Sequence, residues 1–112
     1  MLTHEVLIGT RAQIPPGEGR VFQVGPRRVA VFHARDGRIY ATQAECPHRG
    51  GPLADGLLGG ETLICPLHGR KFDLRSGTAL QDGCGLATYP LRVTAHGEIV
   101  LTIDASGEAR PQ

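Results

Sequence analysis

Tryptophan is absent from this 112-residue sequence, methionine occurs once, and aromatic residues are limited to three Phe and two Tyr. A core built from such a chain rests on Leu, Val and Ile rather than on rings. Nowhere do about eighteen apolar residues run together, the length a membrane-crossing helix needs. The first twenty residues also lack a basic region ahead of an apolar stretch, so neither a membrane span nor a secretory signal is expected. Charge of one sign is not in excess either. Lys and Arg number 12 against 11 Asp and Glu, a formal net charge of +1, which gives no electrostatic footprint for nucleic acid or anionic lipid. Cysteines are only three, Cys46, Cys65 and Cys84. An odd set cannot complete a disulfide framework and suits a reducing compartment, so the cytoplasm is the expected location.

Glycine and proline are plentiful by contrast, at 16 and 8 residues. That share favours turns and short strands over long helices. No window of twelve residues shows a 3.6-residue apolar period, and no internal repeat is present. The length is that of one domain, here taken as residues 1–112. Strands are expected at 5–9, 20–24, 27–34 and 38–43, with turns at Gly25-Pro26 and Asp36-Gly37. A long excursion follows from Glu45 to Gly60. Further strands are expected at 61–65, 71–73, 88–94 and 98–103, the last alternating Ile99, Leu101 and Ile103. The expectation is an all-β, antiparallel sandwich or barrel, with two loops punctuating one sheet.

Those loops carry the chemistry. Cys46-Pro47-His48 and Cys65-Pro66-Leu67-His68 each place one Cys and one His in a Gly- and Pro-rich loop, with sixteen residues, Arg49 to Ile64, between them. Thiolates are soft ligands and imidazoles borderline, so four such groups suit either one tetrahedral zinc or an iron–sulfur cluster divided between two Cys and two His. The prolines beside each Cys stiffen the backbone. Gly50, Gly51 and Gly69 are read as permitting close backbone approach to sulfur, a feature that inorganic sulfide needs more than zinc does.

The pattern C-x-H, an intervening stretch of this length, then C-x-x-H resembles the Rieske [2Fe–2S] proteins. The resemblance implies a Rieske-type cluster, one per chain, with Cys46 and Cys65 on the inner iron and His48 and His68 on the outer iron, near the surface. It also implies a cluster-binding part at about 45–73 formed by the two loops. Residues 46–56, 65–69, Phe72-Asp73, Gly77, Ala79-Leu80, Gly83-Cys84 and 88–93 are most similar to the small subunit of NAD(P)H-dependent nitrite reductase. The implied partner is then a large subunit carrying flavin and sirohaem. Rieske ferredoxins of ring-hydroxylating dioxygenase systems share the size and ligand spacing, and imply a reductase and an oxygenase as partners. Either way the chain is an electron-transfer component with no catalytic site of its own. The reading from another class is an interaction module stapled by zinc, colourless and redox-silent.

Cys84 has no nearby His in sequence and is read as an ordinary thiol. His4, His33 and His96 lack ligand spacing and are read as ordinary imidazoles. Gly17-Glu18-Gly19 and Gly83-Cys84-Gly85 lack the third glycine and following helix of a dinucleotide site. In high-potential relatives a Ser follows the second His-Gly and a Tyr lies two residues on. This chain has Arg70 and Phe72 there, which implies a potential toward the low end of the family range.

Overall fold

The structure is a computed structural model and describes residues 3–47, 50–67, 69–81 and 83–104. Among the described residues ten strands run in the order β1 (Thr3–Thr10), β2 (Glu18–Val24), β3 (Arg27–His33), β4 (Ile39–Gln43), β5 (Leu57–Gly59), β6 (Thr62–Ile64), β7 (Lys71–Asp73), β8 (Thr88–Tyr89), β9 (Leu91–Val93) and β10 (Glu98–Asp104). Helix is confined, among the described residues, to two short 3-10 turns, Arg11–Gln13 and Leu53–Asp55. None is long and apolar enough to cross a membrane. The all-β, antiparallel expectation holds. The single sheet does not: the strands form three sheets, ordered β1-β10-β9, β2-β3-β4-β8 and β5-β6-β7.

Two local features account for that difference. The strand expected over 88–94 is cut at Pro90, which lacks the N–H a ladder requires. Thr88–Tyr89 pairs with β4 and Leu91–Val93 pairs with β10, so the proline is where the chain passes from one sheet to the next. Pro90 still contributes its carbonyl, which accepts the Thr102 N–H at 2.8 Å. The other feature is β5, three residues inside the Gly-rich excursion. It pairs with β6 through Leu57↔Ile64, Leu58↔Leu63 and Gly59↔Thr62.

β3 holds the layers together. Its residues Val29, Ala30, Val31 and Phe32 are all fully buried. Successive side chains on a strand point to opposite faces, and here both faces are covered. Val29 and Val31 join Ile14, Ile39, Ala41, Tyr89, Ile99 and Leu101 in the core of the two larger sheets. Ala30 and Phe32 join Leu53, Leu63, Phe72, Leu74 and Leu86 in a second core, beneath the small sheet. Close packing at this junction leaves no room at Gly19: a Cβ there would lie 2.7 Å from the Phe32 ring.

Polar contacts add to this union. Glu61, in the β5–β6 turn, accepts the Tyr40 hydroxyl at 2.9 Å and Arg38 Nη1 at 3.2 Å through Oε2. Its Oε1 lies 3.2 Å from Arg75 Nε, and its carbonyl accepts the Leu74 N–H at 2.8 Å. Burial of the Tyr40 phenol, and its donation to the Glu61 carboxylate, hold its pKa above the ordinary value of 10.0. The neutral phenol is therefore favoured by folding, and that stability is lost as pH rises through the raised pKa. Tyr40→Phe is expected to lower stability by about 1 kcal/mol near neutrality and to flatten the decline above about pH 10. Denaturant unfolding of both proteins across the alkaline range checks both effects.

Candidate metal centre

The two cysteine-led loops are closed in the same way. In the first, the Cys46 N–H donates to the Gly51 carbonyl at 2.8 Å and the Gly50 N–H donates to the Cys46 carbonyl at 2.7 Å. In the second, the Cys65 N–H donates to the Arg70 carbonyl at 2.7 Å and the Gly69 N–H donates to the Cys65 carbonyl at 3.1 Å. Each loop thus spans six residues, with Cys first, Pro second and Gly fifth. The fifth residue has positive φ in both, +71° at Gly50 and +68° at Gly69, a conformation costly for any side chain with a Cβ.

The three glycines differ in their surroundings. A Cβ at Gly50 or Gly69 would meet nothing within 4 Å, and their positive φ supplies the backbone turn of each loop. Gly51 is the residue of close approach: its missing Cβ would stand 3.1 Å from Cys65 Sγ and 3.0 Å from the Leu67 side chain. The end of the first loop is therefore packed directly on the cysteine of the second.

Cys46 and Cys65 are 4% and 2% exposed and belong to one apolar core with Phe32, Leu53, Phe72 and Leu86. Two thiols delivered by matched loops into one apolar core are groups of the kind a soft metal centre takes. His48 and His68 lie outside the described residues. Pro47, Pro66 and Leu67 are exposed, Leu67 by 52%, so the loops carry an apolar rim at the surface. Phe72 is buried among the cysteines and offers no hydroxyl.

The Rieske [2Fe-2S] domain family matches residues 4–90. This chain belongs to the Rieske family. Its cofactor is a Rieske-type [2Fe–2S] cluster, and the paired burial of Cys46 and Cys65 fits that group. The chain is 34% identical over 82 residues to the ferredoxin component of the naphthalene 1,2-dioxygenase/salicylate 5-hydroxylase systems of a Ralstonia species, covering 71% of this chain and 78% of that protein. Its fold is similar to a structure assigned as the small subunit of an NADH-dependent nitrite reductase from Mycobacterium tuberculosis, with a TM-score of 0.84 at 24% identity over 94% of this chain and 99% of that one. It is similar as well to the ferredoxin of carbazole 1,9a-dioxygenase from Nocardioides aromaticivorans, with a TM-score of 0.75 at 32% identity over 87% and 95% of the two chains.

His33 bonds through Nδ1 to the Ile14 carbonyl at 2.8 Å, at the far end of β3, and His96 occupies the exposed turn before β10. Cys84, read as an ordinary thiol, is exposed. It nevertheless sits close to the site, lining a cavity of about 230 Å³ with Pro47, Arg70, Phe72, Gln81 and Gly83. No sequence motif announces that proximity, because 79–81 and 83–87 reach the loops only through tertiary folding.

Gly51→Ala places a methyl against Cys65 and Leu67, and overpacking of this kind costs about 1–3 kcal/mol. It is expected to lower both melting temperature and bound iron per chain. Gly50→Ala, strained in backbone but facing open space, is expected to cost about 1 kcal/mol and to retain more iron. Calorimetry with iron and sulfide assays on the two variants makes the comparison.

Proposed function

We propose that Cys46, His48, Cys65 and His68 hold the [2Fe–2S] cluster and that the chain, as one Rieske domain over 1–112 with its cluster-binding part at about 45–73, relays single electrons between protein partners in the cytoplasm. The observation that carries this reading is the matched closure of the Cys46 and Cys65 loops onto one buried core. When bound, the cluster supplies reversible one-electron redox chemistry. The protein's own part is to keep the thiolates dry, to present the histidine-bearing ends of both loops to a partner, and to keep the small sheet rigid against β3 while the charge changes.

Among partners, a ring-hydroxylating dioxygenase system has the support of the stronger sequence likeness, at 34% and 32% identity to ferredoxins of such systems. The chain then accepts electrons from a flavin reductase and passes them to a terminal oxygenase. The second reading is the small subunit of an NAD(P)H-dependent nitrite reductase. It is favoured by the run Thr88-Tyr89-Pro90-Leu91-Arg92-Val93 and by the close agreement of fold. Purification of the native protein separates the two, since a ferredoxin elutes alone whereas a subunit carries sirohaem absorbance with it.

Serine is a harder, poorer ligand for iron than thiolate. Cys46→Ser or Cys65→Ser is expected to abolish the visible absorption of the cluster, whereas Cys84→Ala is expected to leave it intact. Loss of colour on Cys84→Ala would move a ligand to Cys84, and full colour in either serine variant would refute the assignment.

Electron-transfer encounters bury little surface, on the order of 1,200 Å² or less, so one exposed apolar side chain counts. Leu67→Glu is expected to slow reduction by the cognate partner while preserving the absorption spectrum. Stopped-flow reduction measures this, and an unchanged rate would place docking elsewhere.

Hydrogen bonds to the sulfurs raise the potential of such a centre. Phe72 cannot donate one, so the midpoint is expected in the lower half of the roughly −150 to +300 mV Rieske range. Voltammetry giving a value in the upper half would contradict this, and Phe72→Tyr with Arg70→Ser is expected to raise it.

A further inference from the structure

Two glutamines on different parts of the chain hold one segment across the cysteine loops. Gln43, at the end of β4, uses both ends of its amide. Its Nε2 donates to the Glu45 carbonyl at 2.7 Å, one residue before Cys46, and its Oε1 accepts the Ala87 N–H at 2.9 Å. The Gln43 N–H also donates to the Ala87 carbonyl at 3.0 Å. At the other end of the segment, Gln81 Oε1 accepts the Lys71 N–H at 2.9 Å, immediately after the Arg70 that closes the second loop. The Leu80 N–H donates to the Lys71 carbonyl at 2.9 Å.

Between these clamps the segment is anchored in the same core as the cysteines. Leu86 is buried there and Ala79 packs against it. The Leu86 N–H donates to the Gly77 carbonyl at 2.6 Å, and a Cβ on Gly85 would stand 2.5 Å from that same oxygen. Gly83 and Cys84 then face Pro47 of the first loop and Arg70 of the second across the 230 Å³ cavity. The first loop's entry and the second loop's exit are thus tied to a common strap.

We propose that Gln43 and Gln81 are positioning residues that clamp the strap 79–81 and 83–87 across both cysteine loops as a third wall, and that this wall sets the reduction potential by limiting water at the site. The proposal rests on the ligand reading given above. Solvent exposure is one of the terms that fix such potentials, and the apolar surroundings of a centre control its local dielectric. Reduction adds negative charge, which water stabilises, so loosening the wall raises the midpoint.

Gln43→Leu, Gln81→Leu and the double variant test this by redox titration together with amide hydrogen exchange. Each single variant is expected to shift the midpoint upward with wild-type iron content. The double variant is expected to shift it by less than the sum, because one strap is released by freeing either end. Exchange at Ala87, whose own Gln43 partner is retained, is expected to quicken about fivefold in Gln81→Leu, the effect of weakening one hydrogen bond. Potentials that stay fixed or fall, additive shifts, or exchange changes confined to the mutated end would each overturn the proposal. Gln81→Leu, at an exposed position, carries the exchange test even if Gln43→Leu does not fold. Wild-type absorbance reports on the ligand reading alone, so failure of that reading is distinguished from failure of the strap.

Discussion

Burial of β3 on both faces is the constraint on which the molecule depends. Four consecutive side chains, Val29 to Phe32, are withdrawn from water in alternating directions. One pair packs beneath the β1-β10-β9 sheet and the other beneath the small sheet that carries the cysteine loops. Fully burying one such side chain is worth about 1.5–3 kcal/mol, so neither layer can part from β3 without exposing a large share of its core. The ion pairs around Glu61 are half-exposed and worth less. Their contribution is to fix the orientation of the small sheet on a contact that is otherwise non-directional.

The site inherits its rigidity from that arrangement. Phe32 shares a core with Cys46 and Cys65, so the thiols belong to the packed interior of the protein, while the prolines and Leu67 beside them are exposed. An electron carrier needs this division. The donor groups must keep one geometry in both charge states, and the outer rim must meet partners through a small, quickly dissociating contact. The matched turns ending in Gly50 and Gly69 place both requirements within six residues, twice.

Much of this was legible in the residues. The alternating strands, the turn signals and the two Cys–His pairs led to the all-β class and to the Rieske family, because periodicity and ligand spacing are local properties. Less local features escaped. Pro90 stood in plain view, yet its effect, passing the chain between two sheets, depends on which strands flank it. β5 is three residues in a glycine-rich stretch and gains its pairing only from β6. The positive φ at Gly50 and Gly69 and the packing of Gly51 against Cys65 depend on how the two loops close. The clamp from Gln43 to Ala87 joins residues 44 apart. An amide side chain carries no sequence signal for such a contact.

The central claim is that two nitrogens and two sulfurs from the matched loops hold the cluster. Pulsed electron paramagnetic resonance of the dithionite-reduced protein, prepared with nitrogen-15 histidine, tests it most directly. The account requires two strongly coupled histidine nitrogens, of which His48→Ala and His68→Ala each remove one. A spectrum with no strong histidine coupling, or one that survives both substitutions, would contradict it.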